Sequence, residues 1–170
     1  MISEFKIERL RVRPLKIGDE IHFLNRFDDV LCKYMPEIPV GTDATVWLKE
    51  KLDNQPYYLC HVLEDIHSSC VIGFVQLSEA NKGTLENKLA IELGYFIFPE
   101  FWARGYGSEL IQALIKNIVE PNNWSQEVIA WVYDGNVASI KLLEKCNFFK
   151  ASTAVDATAT RVCSCTKVAI

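Results

Sequence analysis

Residues 6–13 read KIERLRVR, with apolar Ile7, Leu10 and Val12 set among charges. Alternation of this kind predicts a strand, and Pro14 stops it. Asp19 is placed to cap a helix containing Ile21, Phe23 and Leu24, and a second helix begins near Thr42 and Asp43, carries Val46, Trp47 and Leu52, and ends at Pro56. Three short β-rich runs follow, YYLCHVLE, CVIGFVQL and KLAIELGYFIF, separated by turn residues as in a meander. After residues 101–110, FWARGYGSEL, the positions of Leu110, Ile111, Leu114, Ile115, Ile118 and Val119 predict a helix that runs to about Val119 and is broken by Pro121, Asn122 and Asn123. EVIAWVY is a strand, Asp134-Gly135-Asn136 a turn, and NVASIKLLEKC a helix with Ile140, Leu143 and Cys146 inward. NFF and RVCSCTKVAI close the chain as strands. The order β, α, α, β-β-β, α, β, α, β, β predicts an α/β (α+β) domain around one mixed, mostly antiparallel sheet.

The stretch FWARGYGSEL carries the candidate chemistry. Gly105 and Gly107 precede a helix, so backbone N–H groups from Arg104 to Ser108 stand at a positive helix end, where a diphosphate binds; a tight helix start is the plainer alternative. A P-loop needs a lysine after its last glycine, and here Ser108-Glu109 follows. A dinucleotide fingerprint needs a third glycine where the chain has Leu110, and the gap from Ile97 to Gly105 is too long for its tight turn, although Asp134 superficially fits the acidic position.

Composition narrows the class without naming it. The chain has 170 residues and a net charge of −4, consistent with one domain over 1–170 and without the basic stripe of a nucleic-acid binder. MISEFKIERL lacks the apolar segment of a secretory signal, and no run reaches the roughly 18 apolar residues of a membrane span. Cys32, Cys60, Cys70, Cys146, Cys163 and Cys165 form no CxxC pair, which reads as reduced thiols in a cytoplasmic protein; no metal site is expected. His22, His61 and His67 form no pattern, and His61 falls on a strand in a core or edge position.

Residues 91–108, IELGYFIFPEFWARGYGS, resemble motif A of the GNAT family of N-acetyltransferases, most closely the RimJ/RimL-like branch with its Glu-Ile/Leu-Gly-Tyr strand, aromatic-Trp pair and Gly-Tyr-Gly/Ala loop. Residues 136–149, NVASIKLLEKCNFF, resemble that branch's Asn-x-x-Ser helix and following strand, and ERLRVRPL at 8–15 looks like its first strand. The chain departs from the pattern in three places. Trp102 stands at the broad family's Gln/Arg position, and Asn147 replaces a glycine that the same left-handed cap tolerates. The tyrosine acid of many relatives falls at Leu143, which has no proton to give.

The resemblance implies a GNAT fold with its sheet splayed at the central strands and flanked by helices. It also implies acetyl-CoA as co-substrate, and direct acetyl transfer to a primary amine: a protein N-terminus, an amino acid, a polyamine or a drug. Gly94 fits a bulge at the splay. The backbone of Tyr95, Phe96 and Ile97 is assigned to pantetheine and the acetyl carbonyl, and Arg104, Gly105, Tyr106, Gly107 and Ser108 to the pyrophosphate. Glu92 is the candidate general base, or else a solvated charge on a half-exposed strand. Asn136 is both an N-cap and a candidate pantetheine contact; Ser139 is a first-turn hydroxyl and the candidate partner of the leaving thiolate. Trp102 packs under the loop, and Tyr57 and Tyr58 belong to sheet packing or the acceptor pocket. A non-catalytic CoA-binding or ligand-sensing module of the same fold is the alternative, with a nicotinamide oxidoreductase as a third class. The partners expected are acetyl-CoA and an amine acceptor, with no nucleic acid and no membrane, for a monomer or homodimer.

Overall fold

The computed structural model describes residues 4–55, 58–79, 90–119, 127–133, 135–153 and 160–166. Pro56, Tyr57, Pro121, Asn122, Asn123, Asp134 and the ends of the predicted fourth and last strands, at 88–89 and 167–170, lie outside them. The chain divides into two compact units: 1–76 with 95–106, and 77–94 with 107–170.

In the first unit, β1 (Phe5–Ile7) and β2 (Leu10–Pro14) form an antiparallel hairpin, pairing Ile7 with Leu10. The sequence read 6–13 as one strand. The three-residue step from Ile7 to Leu10 breaks the two-residue period, and the chain turns there, at Glu8-Arg9. β2 pairs antiparallel with β3 (Tyr58–Asp65), from Leu10↔Asp65 to Pro14↔His61, and β4 (Val71–Glu79) and β5 (Ala90–Ile97) follow in order. Asp19 corrects a second expectation. It starts a short 3-10 turn, Asp19–His22, but caps nothing. Its carboxylate is buried and takes two bonds from the Arg13 guanidinium, both 2.8 Å. Ile21 and Leu24 are exposed, and only Phe23 of the three expected apolar residues is in the core.

Two helices follow. α1 (Asp29–Cys32) is capped by Asp28, and α2 (Ala44–Asp53) by Asp43, whose side chain accepts from the N–H groups of Thr45 and Val46. Trp47 and Leu48 face the core, whereas Val46 is exposed. The core of this unit is aromatic. Trp47 sits 4.8 Å from Phe23 and 4.9 Å from Phe74, centroid to centroid, and Phe96 and Phe98 complete the cluster. Such tilted and edge-on pairs each add about 0.5–1.5 kcal/mol beyond area burial. Gly73 is required by close approach: a Cβ there would lie well inside van der Waals contact with the carbonyl oxygen of Phe96.

In the second unit the order is β5-β6-β8-β7, with β6 at Glu127–Tyr133, β7 at Phe149–Thr153 and β8 at Thr160–Thr166. β6 and β8, and β7 and β8, are antiparallel; β5 and β6 are the parallel pair. Their register runs Ala90↔Glu127, Ile91↔Val128 and Glu92↔Ile129, and there the ladder ends, although β5 continues to Ile97 and β6 to Tyr133. α3 (Tyr106–Leu114) buries Leu110, Ile111, Ala113 and Leu114. The expected continuation to Val119 is present with a different winding, a π turn over Ile115–Val119. Asn117 explains the change: its side-chain amide donates to the Ala113 carbonyl that its own backbone N–H would take in an α-helix.

α4 (Val137–Lys145) buries Ile140 and Leu143, with Cys146 buried as its C-cap. It closes as a Schellman motif: Asn147 N–H donates to Glu144 O, Phe148 N–H to Leu143 O, and Asn147 adopts φ 66°. The asparagine thus fills the left-handed position expected of a glycine. Cys32, Cys60 and Cys146 are buried free thiols and Cys70 an exposed one; burial pushes the Cys60 thiol up to about 11.

Candidate functional site

The glycine loop is built from β5 outward. Phe98 N–H continues pairing to Ile72 O, and Pro99 opens a 3-10 turn, Pro99–Phe101, where its missing N–H costs nothing. The chain then folds back, because the Trp102 indole N–H donates to Ile97 O at 2.6 Å. Trp102 is half exposed, so it braces the loop by this bond rather than from beneath it. Beyond it the backbone alternates: Ala103 has φ 58° and Gly105 φ 87°, while Arg104 between them keeps a negative φ. Alternation of this sign is a feature of the loops that form anion-binding nests, and it leads directly into the positive end of α3. Gly107 lies inside α3 and needs no positive φ. The two glycines that look equivalent in the sequence therefore do different work.

Two side chains from elsewhere in the first unit, Arg9 and Asp65, hold this loop. Arg9, at the β1–β2 corner, donates from Nη1 to Arg104 O at 3.0 Å and stacks its guanidinium 4.4 Å from the centre of the Tyr106 ring. The Tyr106 hydroxyl is buried and donates to Asp65 Oδ2 at 2.5 Å. Asp65 Oδ1 accepts from His67 N–H, Ser68 N–H and the Ser68 hydroxyl, at 3.0, 2.8 and 2.9 Å. The Tyr106 bond, then the Ser68 N–H, hold the Asp65 carboxyl down to about 2, and the same bond pushes the Tyr106 phenol above its ordinary range. Arg104 is exposed, its guanidinium 5.5 Å from the Phe101 ring centre.

Each residue anticipated for the site can be located on this frame. Arg104, Gly105 and Tyr106 are gathered around Arg9. The Tyr106 side chain is committed to Asp65, so only its backbone could serve a ligand. The Phe96 side chain belongs to the aromatic core, and the Ile97 carbonyl accepts the Trp102 indole N–H with one of its two lone pairs. Tyr95 is half-buried. Gly94 is exposed, and a Cβ there would meet nothing within 4 Å, so its place in β5 leaves room for a ligand to approach the strand.

In the second unit, Glu92 is half-buried at the last registered pair of the β5–β6 ladder, between buried Ile91 and Leu93. Asn136 caps α4, its side-chain oxygen accepting the Ser139 N–H at 3.2 Å, and so holds Ser139 on the first turn. Ser108 is half-buried, and its carbonyl accepts the Cys146 thiol at 3.9 Å, tying the start of α3 to the end of α4. Leu143 is fully buried, a packing position rather than an acid. Among the described residues no group of three or more His, Cys, Asp or Glu is placed to hold a metal ion, and no helix is long and apolar enough to cross a membrane.

Arg9 and Asp65 were not legible as site residues. Arg9 lies within ERLRVRPL, where it reads as one charge among several on a strand, and Asp65 reads as a turn residue. Their signal is spatial: Leu10 pairs with Asp65, and Ile66 N–H donates to Arg9 O at 2.9 Å, so the two anchors come from adjoining corners.

A family model described as an acetyltransferase (GNAT) domain matches residues 9–148. Among solved structures, an acetyltransferase of the GNAT family from Bacillus anthracis superposes with a TM-score of 0.79 at 18% identity, covering 96% of this chain and 98% of that one. An acetyltransferase from Agrobacterium tumefaciens gives 0.77 at 17% identity, with 96% and 94% covered. The ribosomal-protein-S5-alanine acetyltransferase from Vibrio fischeri gives 0.74 at 18%, with 98% of both chains covered. At these identities the structures establish a shared fold, while the sequence match runs from the Arg9 corner to the buried Phe148 beyond α4. The chain belongs to the GNAT acetyltransferase family.

Proposed function

We propose that this protein is an acetyl-CoA-dependent N-acetyltransferase of the RimJ/RimL-like branch that moves an acetyl group directly to a primary amine. The observation that carries the reading is the loop itself. Positive φ at Ala103 and Gly105, a helix start at Tyr106, and the exposed Arg104 side chain at the same turn fit a diphosphate. The backbone N–H groups of Gly105, Tyr106, Gly107 and Ser108 are assigned to it, with Arg104 adding charge at the exposed rim. The backbone of Tyr95, Phe96 and Ile97, beside the open space at Gly94, is assigned to pantetheine.

Acetyl-CoA supplies an activated acyl group whose leaving group is a thiolate. The protein must supply a proton acceptor for the amine and a proton for the sulfur. Glu92 takes the first role, directly or through water; it is the half-buried acid at the last registered pair of β5 and β6. Ser139, held by the Asn136 cap, takes the second with its hydroxyl; Asn136 Oδ1 is occupied by the cap, so its side-chain NH₂ is the group assigned to the pantetheine amide. The amine nitrogen forms the new bond to the acetyl carbon as the carbon–sulfur bond breaks, and no covalent enzyme intermediate or metal enters. The buried free thiols suit a reducing, cytoplasmic setting. The acceptors span N-terminal amines, amino acids, polyamines and drugs, for a monomer or homodimer.

The test has two stages. Acetyl-CoA, and not NADH, should raise the unfolding midpoint by mass action. Free-thiol release should then appear with at least one member of a panel of amines, and should persist in the presence of a chelator. CoA binding without transfer to any amine would replace the enzyme by a sensor of the same fold.

A further inference from the structure

We infer that Arg9 and Asp65, acting through Tyr106, are positioning residues that set the shape of the pyrophosphate loop and thereby the affinity for the diphosphate half of CoA. The inference rests on the CoA reading above and extends it to two residues that lie outside the loop itself, Arg9 and Asp65.

The geometry is specific. In a trans peptide the C=O and the following N–H point in opposite directions. Arg9 grips the Arg104 carbonyl, so the Gly105 N–H of the same peptide is aimed away from Arg9. The next N–H belongs to Tyr106, the first residue of α3, whose side chain is fixed at both ends: the ring by Arg9 and the hydroxyl by Asp65. Two consecutive donors at the helix start are thus oriented from outside the loop. Gly105 is compatible with this because it adopts φ 87° and because a Cβ would come within 3.3 Å of Arg9 Nη2.

Asp65 is a rigid anchor. One of its oxygens is saturated by its own turn, leaving the other for Tyr106, and the hydrogen bonds that keep it ionised persist through the neutral range. An anchor serving only general packing would need no such division of its two oxygens. Here the turn bonds fix Oδ1 and present Oδ2 to a single hydroxyl.

The experiment compares wild type with Tyr106→Phe, Asp65→Asn and Arg9→Ala. It measures CoA binding by calorimetry, binding of pantetheine, which lacks the diphosphate, by NMR titration, and the unfolding midpoint without ligand. Tyr106→Phe keeps the ring against Arg9 and removes only the hydroxyl bond, so it is the milder variant and reads the inference even if Arg9→Ala fails to fold. Hydrogen bonds to charged groups are of a size that makes a loss of about tenfold in CoA affinity the expected result for Tyr106→Phe, with pantetheine affinity unchanged. The double variant Tyr106→Phe/Asp65→Asn should lose little more than either single one. Unchanged CoA affinity, or an equal loss for CoA and pantetheine, overturns the inference while leaving the enzyme reading intact. Wild type that binds no CoA at all overturns the enzyme reading first.

Discussion

Arg13 and Asp19 meet as a two-bond pair inside the first unit, Nη1 to Oδ2 and Nη2 to Oδ1, each at 2.8 Å. Arg13 also donates from Nε to Glu64 at 2.5 Å, and the Lys16 N–H donates to Asp19 Oδ2, so the buried ions are satisfied on several sides. Burial opposes the Asp19 charge, but the Arg13 and Lys16 bonds outweigh it and the carboxyl lies below its ordinary value; Arg13 is pushed up by the same partner. Removing one member leaves the other charged and buried, which costs about 3–5 kcal/mol. Asp19→Asn and Arg13→Leu are therefore each expected to lower the urea midpoint strongly. The double variant should recover part of the loss, and a double variant no better than the worse single one would contradict the pairing.

Acid stability follows from the same kind of group. Asp65 titrates near 2 in the folded protein against an ordinary 3.8. A depressed folded value means that its contribution is complete above about pH 4 and is lost as pH falls through the folded value, near 2. Asp19 adds in the same direction. Melting curves between pH 2 and 7 should show the midpoint falling steeply below about pH 4. Asp65→Asn should flatten part of that slope and leave a remainder to which Asp19, Glu4 and Glu100, all lowered, contribute.

Gly73 offers a purely steric test. A Cβ at this position is driven into the Phe96 carbonyl oxygen and also reaches the Ile97 Cα at 3.0 Å, both main-chain atoms that cannot swing aside. Gly73→Ala is expected to destabilise by about 1–3 kcal/mol or more, as overpacking does, and Gly94→Ala, with open space around it, by far less. Equal denaturation midpoints for the two variants would refute the close approach.

For the chemistry, Glu92→Gln should lower the acceptor kcat/KM by about 10²–10⁴-fold, the usual range for general-base removal, with CoA affinity nearly unchanged. Ser139→Ala should lower kcat with little effect on CoA affinity, because the helix is capped by the Asn136 side chain acting on a backbone N–H that alanine retains. Asn136→Ala should instead loosen α4, costing about 1 kcal/mol of stability, as loss of a cap does. A full rate in Ser139→Ala at saturating substrates would remove the leaving-group role.

The strands and helices whose apolar residues keep a strict period were legible: β3, β4 and β6 by their apolar, β-rich runs, α4 by Ile140, Leu143 and Cys146, and α2 by its Asp43 cap. The failures share a cause. The β1–β2 turn, the ionic role of Asp19 and the π turn after α3 are each decided by a contact or hydrogen bond that a one-dimensional pattern does not contain. The site divides the same way. Gly105 was legible because a positive φ selects glycine, whereas Ala103 adopts φ 58° with nothing in its identity to announce it. Asp65 and Tyr106 are 41 residues apart, and Arg9 and Arg104 are 95 apart, so no local reading joins them.

Those separations bear on when the protein becomes able to hold its ligand. A loop whose shape depends on residues 41 and 95 positions earlier cannot organise as an isolated fragment, since the entropy of closing those long loops is recovered only when the β2–β3 corner is in place. During synthesis both anchors emerge before the segment they hold, so the scaffold for the loop is made first and the loop is trapped on arrival. On the proposed CoA reading, capture of the ligand should then report the assembled fold rather than a folding intermediate. Ligand added to refolding protein is expected to slow unfolding without speeding the folding step itself.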